Sequence, residues 1–540
     1  MGDRPDLMEV SEIVQDPPVN NKEALFDHLV SADEAEWEAL DDPYHIQLTG
    51  ALYNFSEDLG RISGLDRVIA LNKNIEDRDL AAVHEAFRYY QLANAYSLRD
   101  AWKEGDTHMA FFDSDDLLEA LGYARAAVAR EYTTAISKHR ETQSFVNFAN
   151  ILSRTGRVCE ALVWYTRAVE NNPAFGMALG NRGQCKMNYA ALLFSPSHTA
   201  KMLHSAYRDF ERALTDTEGL YSRAEANFRA RMERIEKYGD EQLSMEHEDE
   251  YELGDTEMDQ KYHRWVLDNH LYLNPLNDIS THTVTAHDYF HLPNMLILDD
   301  DDFPYPGIYN QIKQEFVSAR YLYFEGITKT DESPHFSDRD VKLPDTLDYA
   351  VYGYRTEQIK TALRMAYAIF DKLGELLNKY FDVGQRTPGF HQVWYKDGEY
   401  PKGLADPFRN SDNWALNALY WIKKDFHHSV SKRDEDSVVI VAHELRKIRT
   451  AVEHDYIKVF DDDIVSSPDG THGAVQDTLY DAIGRTQLRQ AALEMLRLAR
   501  AAMIYLSLAI NYEERKKRET MDGKTVPIGG RVMVPDDFKE

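Results

Sequence analysis

The residues of this 540-residue sequence best suited to chemistry are Arg449 and His454, in the stretch VVIVAHELRKIRTAVEHDYIK at 438–458. Histidine titrates near neutrality, so it can take up a proton and return it at working pH. Arginine keeps its charge and grips phosphate oxygens through paired N–H donors. Metal-free RNA cleavage needs both functions: a base at the ribose 2′-hydroxyl, and a cation for the charge that builds on the phosphorane. On this reading His454 is the acid and base, and Arg449 the phosphate clamp. Arg446, Lys447 and Thr450 are the nearby side chains suited to contact RNA. Glu444 and Glu453 could orient a basic group.

The spacing alone is common. On a regular helix, two residues five apart point roughly 140° from each other, since each residue turns about 100°. The pair therefore converges on one phosphate only if the helix breaks or a second chain brings its own copy. A plainer reading pairs Arg449 with Glu453 across one turn, worth a few tenths of about 1 kcal/mol, and leaves His454 as a helix-end histidine favoured by the dipole.

The elements that must position the pair are four helical segments. Ile359, Ala362, Leu363, Ala366, Ile369, Phe370, Leu373 and Leu377 form an apolar stripe over 355–381. A second helix is expected at 413–429, with Trp414, Leu416, Leu419 and Ile422. The third is 438–458 itself. The fourth, 485–515, turns Leu488, Ala492, Met495, Ala499, Ala502, Met503, Leu506 and Ile510 one way. Helices of this length bury a core as an up-down bundle.

An Arg-x4-His pair on the third helix of such a bundle resembles the HEPN superfamily, over about residues 350–515. Thr450 departs from the Asn or other polar amide or acid often found after the motif arginine. The resemblance implies an RNA-cleaving site assembled from two paired domains, hence a homodimer or higher even oligomer. It also implies cleavage to a 2′,3′-cyclic phosphate and a 5′-hydroxyl with no cofactor. With the helical repeats ahead of it and the Trp265–Ile279 segment WVLDNHLYLNPLNDI, the order resembles a bacterial HEPN branch tied to phage defence, conflict and growth arrest. HEPN domains also serve as non-catalytic dimerisation or nucleotide-binding modules, so a scaffold or adaptor is the alternative.

From Leu80 the pattern is helical almost throughout, which makes the chain all-α. Residues 142–174 fit a tetratricopeptide (TPR) repeat closed by Pro173. Phe148 and Ala149 take the first-helix positions, and Ala161, Tyr165 and Ala168 the small, aromatic and small positions of the second. Gly183, Ala206, Phe210 and Ala213 mark an interrupted second copy. Leu92, Ala93, Tyr96, Ala120, Ala124 and Ala127 mark a weaker one before it. The expected organisation is a loose N-terminal segment with some helix at 1–79 and TPR-like repeats at 80–239. An acidic linker follows at 240–262, then a connecting irregular and helical region at 263–349, the HEPN four-helix domain at 350–518 and a tail at 519–540. Solenoids present concave surfaces, so a protein trigger at the repeats is the expected regulatory partner.

Net charge is −31, which argues against non-specific nucleic-acid binding. The charge is uneven: residues 240–259 hold ten Asp or Glu and no Lys or Arg, whereas 484–518 hold eight Lys or Arg against three Glu. Only two cysteines occur, Cys159 and Cys185, expected as buried free thiols of a reducing compartment. The N-terminus lacks a basic stretch leading into an apolar one, and the most apolar helix is interrupted by Glu494, Arg497 and Arg500. A soluble, cytoplasmic protein without a membrane partner is expected.

Other constellations are weak. His443-Glu444 opens like a zinc-protease motif, but Lys447 stands where the second histidine is needed. His427-His428 lacks a third ligand, the Asp299–Asp302 run lacks the spacing of a cation loop, and no phosphate-binding glycine loop occurs. Asp461 to Asp463 reads as a solvated turn. The RKKR at 515–518 reads as an exposed basic end.

Overall fold

The computed structural model describes residues 6–14, 21–103, 112–129, 133–215, 220, 222–238, 251–297, 304–328, 334–345, 350–386, 388–426, 445, 447–448, 450, 452, 457–462, 481–520 and 524–526. The chain divides into two compact units. The first draws on Met1–Cys185 and Ala206–Arg234, the second on Lys186–Ser205, Ile235–His428 and Ile440–Glu540.

The first unit is helical. Where the sequence reads as a loose start, α1 (Leu7–Ile13), α2 (Lys22–Ser31), α3 (Glu34–Glu38), α4 (Asp42–Leu59) and α5 (Ile62–Asn74) bury Phe26, Leu29, Trp37, Leu48, Leu52 and Val68. Capping boxes start two of them, Asp6 with Glu9 and Asp33 with Glu36, each satisfying two otherwise orphaned backbone N–H groups. Then come α6 (Ala82–Lys103), α7 (Asp115–Ala127), α8 (Lys138–Arg154), α9 (Val158–Asn171), α10 (Gly176–Leu192), α11 (Pro196–Thr215) and α12 (Ser222–Glu236), of which the Lys186–Ser205 stretch of α10 and α11 belongs to the second unit.

The repeat positions behave as their packing logic requires. Phe148, Ala149, Ala161, Tyr165 and Ala168 are all buried between α8 and α9, which turn at Gly156 with φ +86°. Leu92, Ala93, Tyr96, Ala120, Ala124 and Ala127 are buried between α6 and α7, where Tyr96 stacks on Tyr123 at 5.9 Å. At Gly183 a Cβ would stand 3.0 Å from the Phe210 ring and 3.1 Å from the Ala206 carbonyl oxygen, so the small residue permits the close approach. Cys159 and Cys185 are both buried thiols.

The second unit is built on long helices. α13 (Glu257–Asp268) and strand β1 (Met295–Ile297) precede α14 (Tyr305–Thr328) and α15 (Tyr354–Tyr380). After α16 (Asp406–Arg409) come α17 (Trp414–Asp425), β2 (Ile457–Phe460), β3 (Asp481–Gly484), α18 (Arg485–Thr520) and β4 (Lys524–Val526). α14 packs on α15, and both pack on α18, as does α17. Every residue of α17 is buried, which puts it at the centre of the core. α14 lies in the stretch read from sequence as a connecting region, yet it is a full member of the helical packing.

The third expected helix is shorter at its C-terminal end than 438–458. Leu445, Lys447, Ile448, Thr450 and Val452 are helical, but Ile457–Phe460 is a strand. Ile457 and Val459 are β-branched and prefer extended backbone. The acidic stretch from 239 to 250, Asp299–Asp302, the His427-His428 pair and Asp463 lie outside the described residues. The basic RKKR is not a free end: it forms part of α18. Arg515 donates to the Ala191 carbonyl (3.1 Å), Lys516 pairs with Asp412, Lys517 with Glu514 (2.9 Å), and Arg518 donates to the Asn294 carbonyl (2.5 Å).

The Trp265–Ile279 segment is a structural clamp. Asn274 caps the 3-10 turn Pro275–Asp278 through the Leu276 amide, and Asn277 accepts from the Tyr272 amide at 3.1 Å. Arg500 of α18 donates to the Tyr272 and Asn274 carbonyls at 2.5 and 2.9 Å and pairs with Asp278 at 2.6 Å. Arg320 of α14 holds Asp288 at 2.7 and 3.0 Å and the Leu271 carbonyl at 2.9 Å. Two buried guanidiniums therefore tie this irregular segment to two long helices.

Candidate RNA-cleaving site

The candidate residues fall on a short segment with well-anchored flanks. On its N-terminal side Leu445 and Ile448, one turn apart, are buried, while Lys447 is exposed and Thr450 half-buried. On its C-terminal side β2 pairs in parallel with β3, Ile457 opposite Asp481 and Phe460 opposite Gly484. Val459, Phe460 and Ile483 are buried beneath that pair. The Val351 amide, just before α15, donates to the Val459 carbonyl at 2.7 Å.

β3 runs straight into α18, and the junction is pinned electrostatically. The Asp462 carboxylate accepts from the Thr486 amide at 3.0 Å and from its hydroxyl at 2.5 Å, in the first turn of α18. Those hydrogen bonds, helped by the nearby Arg489 and Arg485 charges, hold the Asp462 carboxyl below its usual range. Arg485 pairs with Asp461 at 3.0 Å. The Asp461–Asp462 turn is thus fastened to the helix rather than freely solvated.

Of the seven site residues read from the sequence, the structure places two: Lys447 on the exposed side of a helical turn and Thr450 partly covered beside it. Arg449, His454, Arg446, Glu444 and Glu453 lie outside the described residues. The chain is helical at Val452 and extended at Ile457, and His454 falls in the interval between them.

Sequence reasoning passed over two groups of polar side chains in this unit. Lys423, buried on α17, contacts the Tyr395 hydroxyl and lies 4.1 and 4.7 Å from the Tyr395 and Tyr420 ring centres. Glu514, wholly buried near the end of α18, accepts from the Leu296 amide at 2.6 Å and the Tyr380 hydroxyl at 2.7 Å. Burial and the Glu514 charge push the Tyr380 hydroxyl far above its ordinary range. Both groups brace helices. Their only sequence signal is a charge inside an otherwise apolar helical face.

Among the described residues no three histidine, cysteine or acidic side chains are gathered as metal ligands. No helix among them is long and apolar enough to cross a membrane.

The long helices α14, α15 and α18, with the buried α17 against α18, define the class: an all-α helical domain. Residues 297–513 match the family described as LA2681-like HEPN, and this C-terminal region is a HEPN-superfamily domain. The match takes in α14, α15, α17, α18 as far as Glu513 and the Arg449–His454 pair. No curated protein and no solved structure matches the chain.

Proposed function

We propose that the protein is a metal-independent endoribonuclease of the HEPN type. One observation carries this reading: Arg449-x4-His454 lies inside the HEPN match, on a segment fastened at one end by Leu445 and Ile448 and at the other by the β2–β3 pair. His454 removes the proton from a ribose 2′-hydroxyl, and the 2′-oxygen attacks the adjacent phosphorus. Arg449 stabilises the charge on the phosphoryl oxygens. The bond to the 5′-oxygen breaks and that oxygen takes up a proton, leaving a 2′,3′-cyclic phosphate and a 5′-hydroxyl. Lys447, exposed one turn before Thr450, is placed for a backbone phosphate contact, with Arg446 and Thr450 as further RNA contacts. Glu444 and Glu453 orient the basic groups.

The HEPN resemblance implies a site assembled from two paired domains, so the working state is a homodimer or higher even oligomer. The helical first unit is the sensing module, and the setting is cytoplasmic defence against phage or growth arrest. The rival is a non-catalytic scaffold or adaptor, for which the repeat-like helices of the first unit speak.

The full chain, Arg449→Ala and His454→Ala are incubated with total RNA and tRNA in EDTA. Cleavage by the parent alone supports the proposal. Cleavage by all three moves the chemistry elsewhere. Cleavage by none, with infected-cell lysate added as a source of activator, favours the adaptor.

A further inference from the structure

Three aromatic rings form a ladder on the flank of the segment that carries Arg449 and His454. His335 is the middle ring. The Tyr354 ring stacks on it at 4.5 Å with 26° between the planes, and the Phe336 ring lies 4.3 Å away at 40°. Phe336 is 74% exposed and Tyr354 42%, so solvent reaches the rings on either side of the half-buried histidine.

The ladder is held in place by its own loop. The Tyr354 amide, at the start of α15, donates to the Asp338 carboxylate at 3.0 Å. The Asp338 amide donates to the His335 carbonyl at 2.9 Å, closing the 3-10 turn Phe336–Asp338. The Ser337 hydroxyl meets His335 Nδ1 at 2.7 Å, which orients the imidazole. Rings fixed in advance cost little further ordering when a ligand arrives.

Position ties the ladder to the candidate site. The Val351 amide, three residues before Tyr354, donates to the Val459 carbonyl of β2 at 2.7 Å. β2 itself begins three residues after His454. Three residues of extended chain reach about 10 Å at most.

The chemistry of the loop points to bases rather than phosphates. Residues 334–345 set Arg339 and Lys342 against Asp338, Asp340 and Asp345, so the loop holds no excess of cations to replace counterions. What it presents is aromatic faces, on which any base can stack. A stable protein interface covers about 800 Å² per partner around an interdigitated core, whereas near-parallel rings on a short turn suit one planar guest.

We propose that Phe336, backed by His335 and Tyr354, stacks a nucleobase of single-stranded RNA beside the cleaved phosphate, positioning the strand without reading its sequence. The inference rests on the RNA-cleaving reading of Arg449 and His454, and adds residues that orient the substrate.

The test titrates full-length protein into a fluorescein-labelled 2′-O-methyl RNA of mixed sequence, about 12 nucleotides long, read by anisotropy. That probe lacks the hydroxyl that cleavage needs. A second probe, abasic throughout, keeps every phosphate and loses every base. A third carries 2-aminopurine, whose fluorescence falls on stacking. Phe336→Ala, Phe336→Leu and Phe336→Tyr are compared, with circular dichroism and sedimentation velocity on each. The parent is expected to bind the first probe, to quench the third and to bind the abasic one far more weakly. The alanine and leucine variants should lose the quenching and bind about tenfold more weakly, the worth of one base–aromatic stack, and tyrosine should restore both. Equal binding of the abasic probe, no binding by the parent, or full quenching by Phe336→Ala overturns the proposal. So does altered sedimentation with unchanged RNA binding, which assigns the rings to a contact between copies. Because the probe cannot be cut, failure of the nuclease reading shows separately, as intact tRNA.

Discussion

Both units tie helices with arginine–carboxylate pairs, Arg154–Asp100 and Arg182–Asp209 in the first, but they differ in the polar chemistry added to them. In the first, α6, α8 and α10 share neutral, half-buried asparagine pairs, Asn147 with Asn94 and Asn181 with Asn150. In the second, α14 and α18 are tied to the 262–288 segment by buried arginines whose partners are carboxylates and backbone carbonyls. A neutral amide costs little to leave partly exposed. A buried guanidinium must be satisfied where it stands, or its desolvation is uncompensated. The second arrangement suits a frame that keeps a reactive segment in place, and the first suits a half-exposed joint.

The sharpest way to break this contrast is to cut one clamp. Arg500→Ala takes the charge partner from the buried Asp278 carboxylate, which keeps the Tyr189 hydroxyl at 3.0 Å, and is expected to destabilise the second unit by about 3–5 kcal/mol. A fall in denaturation midpoint of a size ordinary for surface residues would place the clamp outside the energetic frame.

A smaller effect is expected from crowding in the first unit. Gly180→Ala sets a Cβ 2.0 Å from the Phe228 ring, which is buried and has to shift. A loss of about 1–3 kcal/mol is expected, read as a lower melting temperature. An unchanged value would mean that α12 is held loosely.

Acid gives a graded test in the second unit. Burial, with help from the Lys201 and His291 charges, lowers His198 to about 4, and the Tyr289 hydroxyl lies 2.7 Å from its Nε2. An unfolded histidine titrates near 6.5, so between about 6.5 and 4 the unfolded chain binds the extra proton. Stability from this group is complete above about 6.5 and declines as pH falls toward 4. His198→Phe should flatten that part of the stability–pH curve, and an unchanged slope would contradict the assignment.

The smallest effect belongs to Asn94→Ala/Asn147→Ala. Removing both partners of a half-exposed neutral pair should alter stability by no more than about 0.5 kcal/mol. A large loss would make the pair a structural brace and erase the contrast between the units.

Helices with continuous apolar stripes were legible from residues alone: the stripe over 355–381 corresponds to Tyr354–Tyr380, and 485–515 to the body of Arg485–Thr520. The repeat positions were legible too, because small and aromatic residues at fixed spacing have few packing solutions. α14 was missed as a bundle member. Its sequence YPGIYNQIKQEFVSARYLYFEGIT mixes glycine, aromatics and polar residues without a clean stripe. The early end of the third helix was missed because VEHDYIKVF carries no breaker, and the β2–β3 pairing that sets it depends on residues more than twenty positions away.

Arg497 and Arg500 read simply as interruptions of an apolar helix. Their value as clamps depends on carbonyls more than two hundred positions earlier, beyond any local pattern. The asparagine pairs gave no signal for the same reason, since a lone asparagine on a helix looks like any solvated residue. At the candidate site the residue types were legible and Lys447 and Thr450 are placed, while the Arg449–His454 geometry is not.

The most direct measurement is cleavage of tRNA by the full-length parent and His454→Ala in EDTA, with product ends mapped. The account predicts 2′,3′-cyclic phosphate and 5′-hydroxyl ends from the parent, and a rate lower by about 10²–10⁴ for the variant, the usual worth of a general acid–base group. Equal cleavage by both proteins, or products with 5′-phosphate ends, would contradict it.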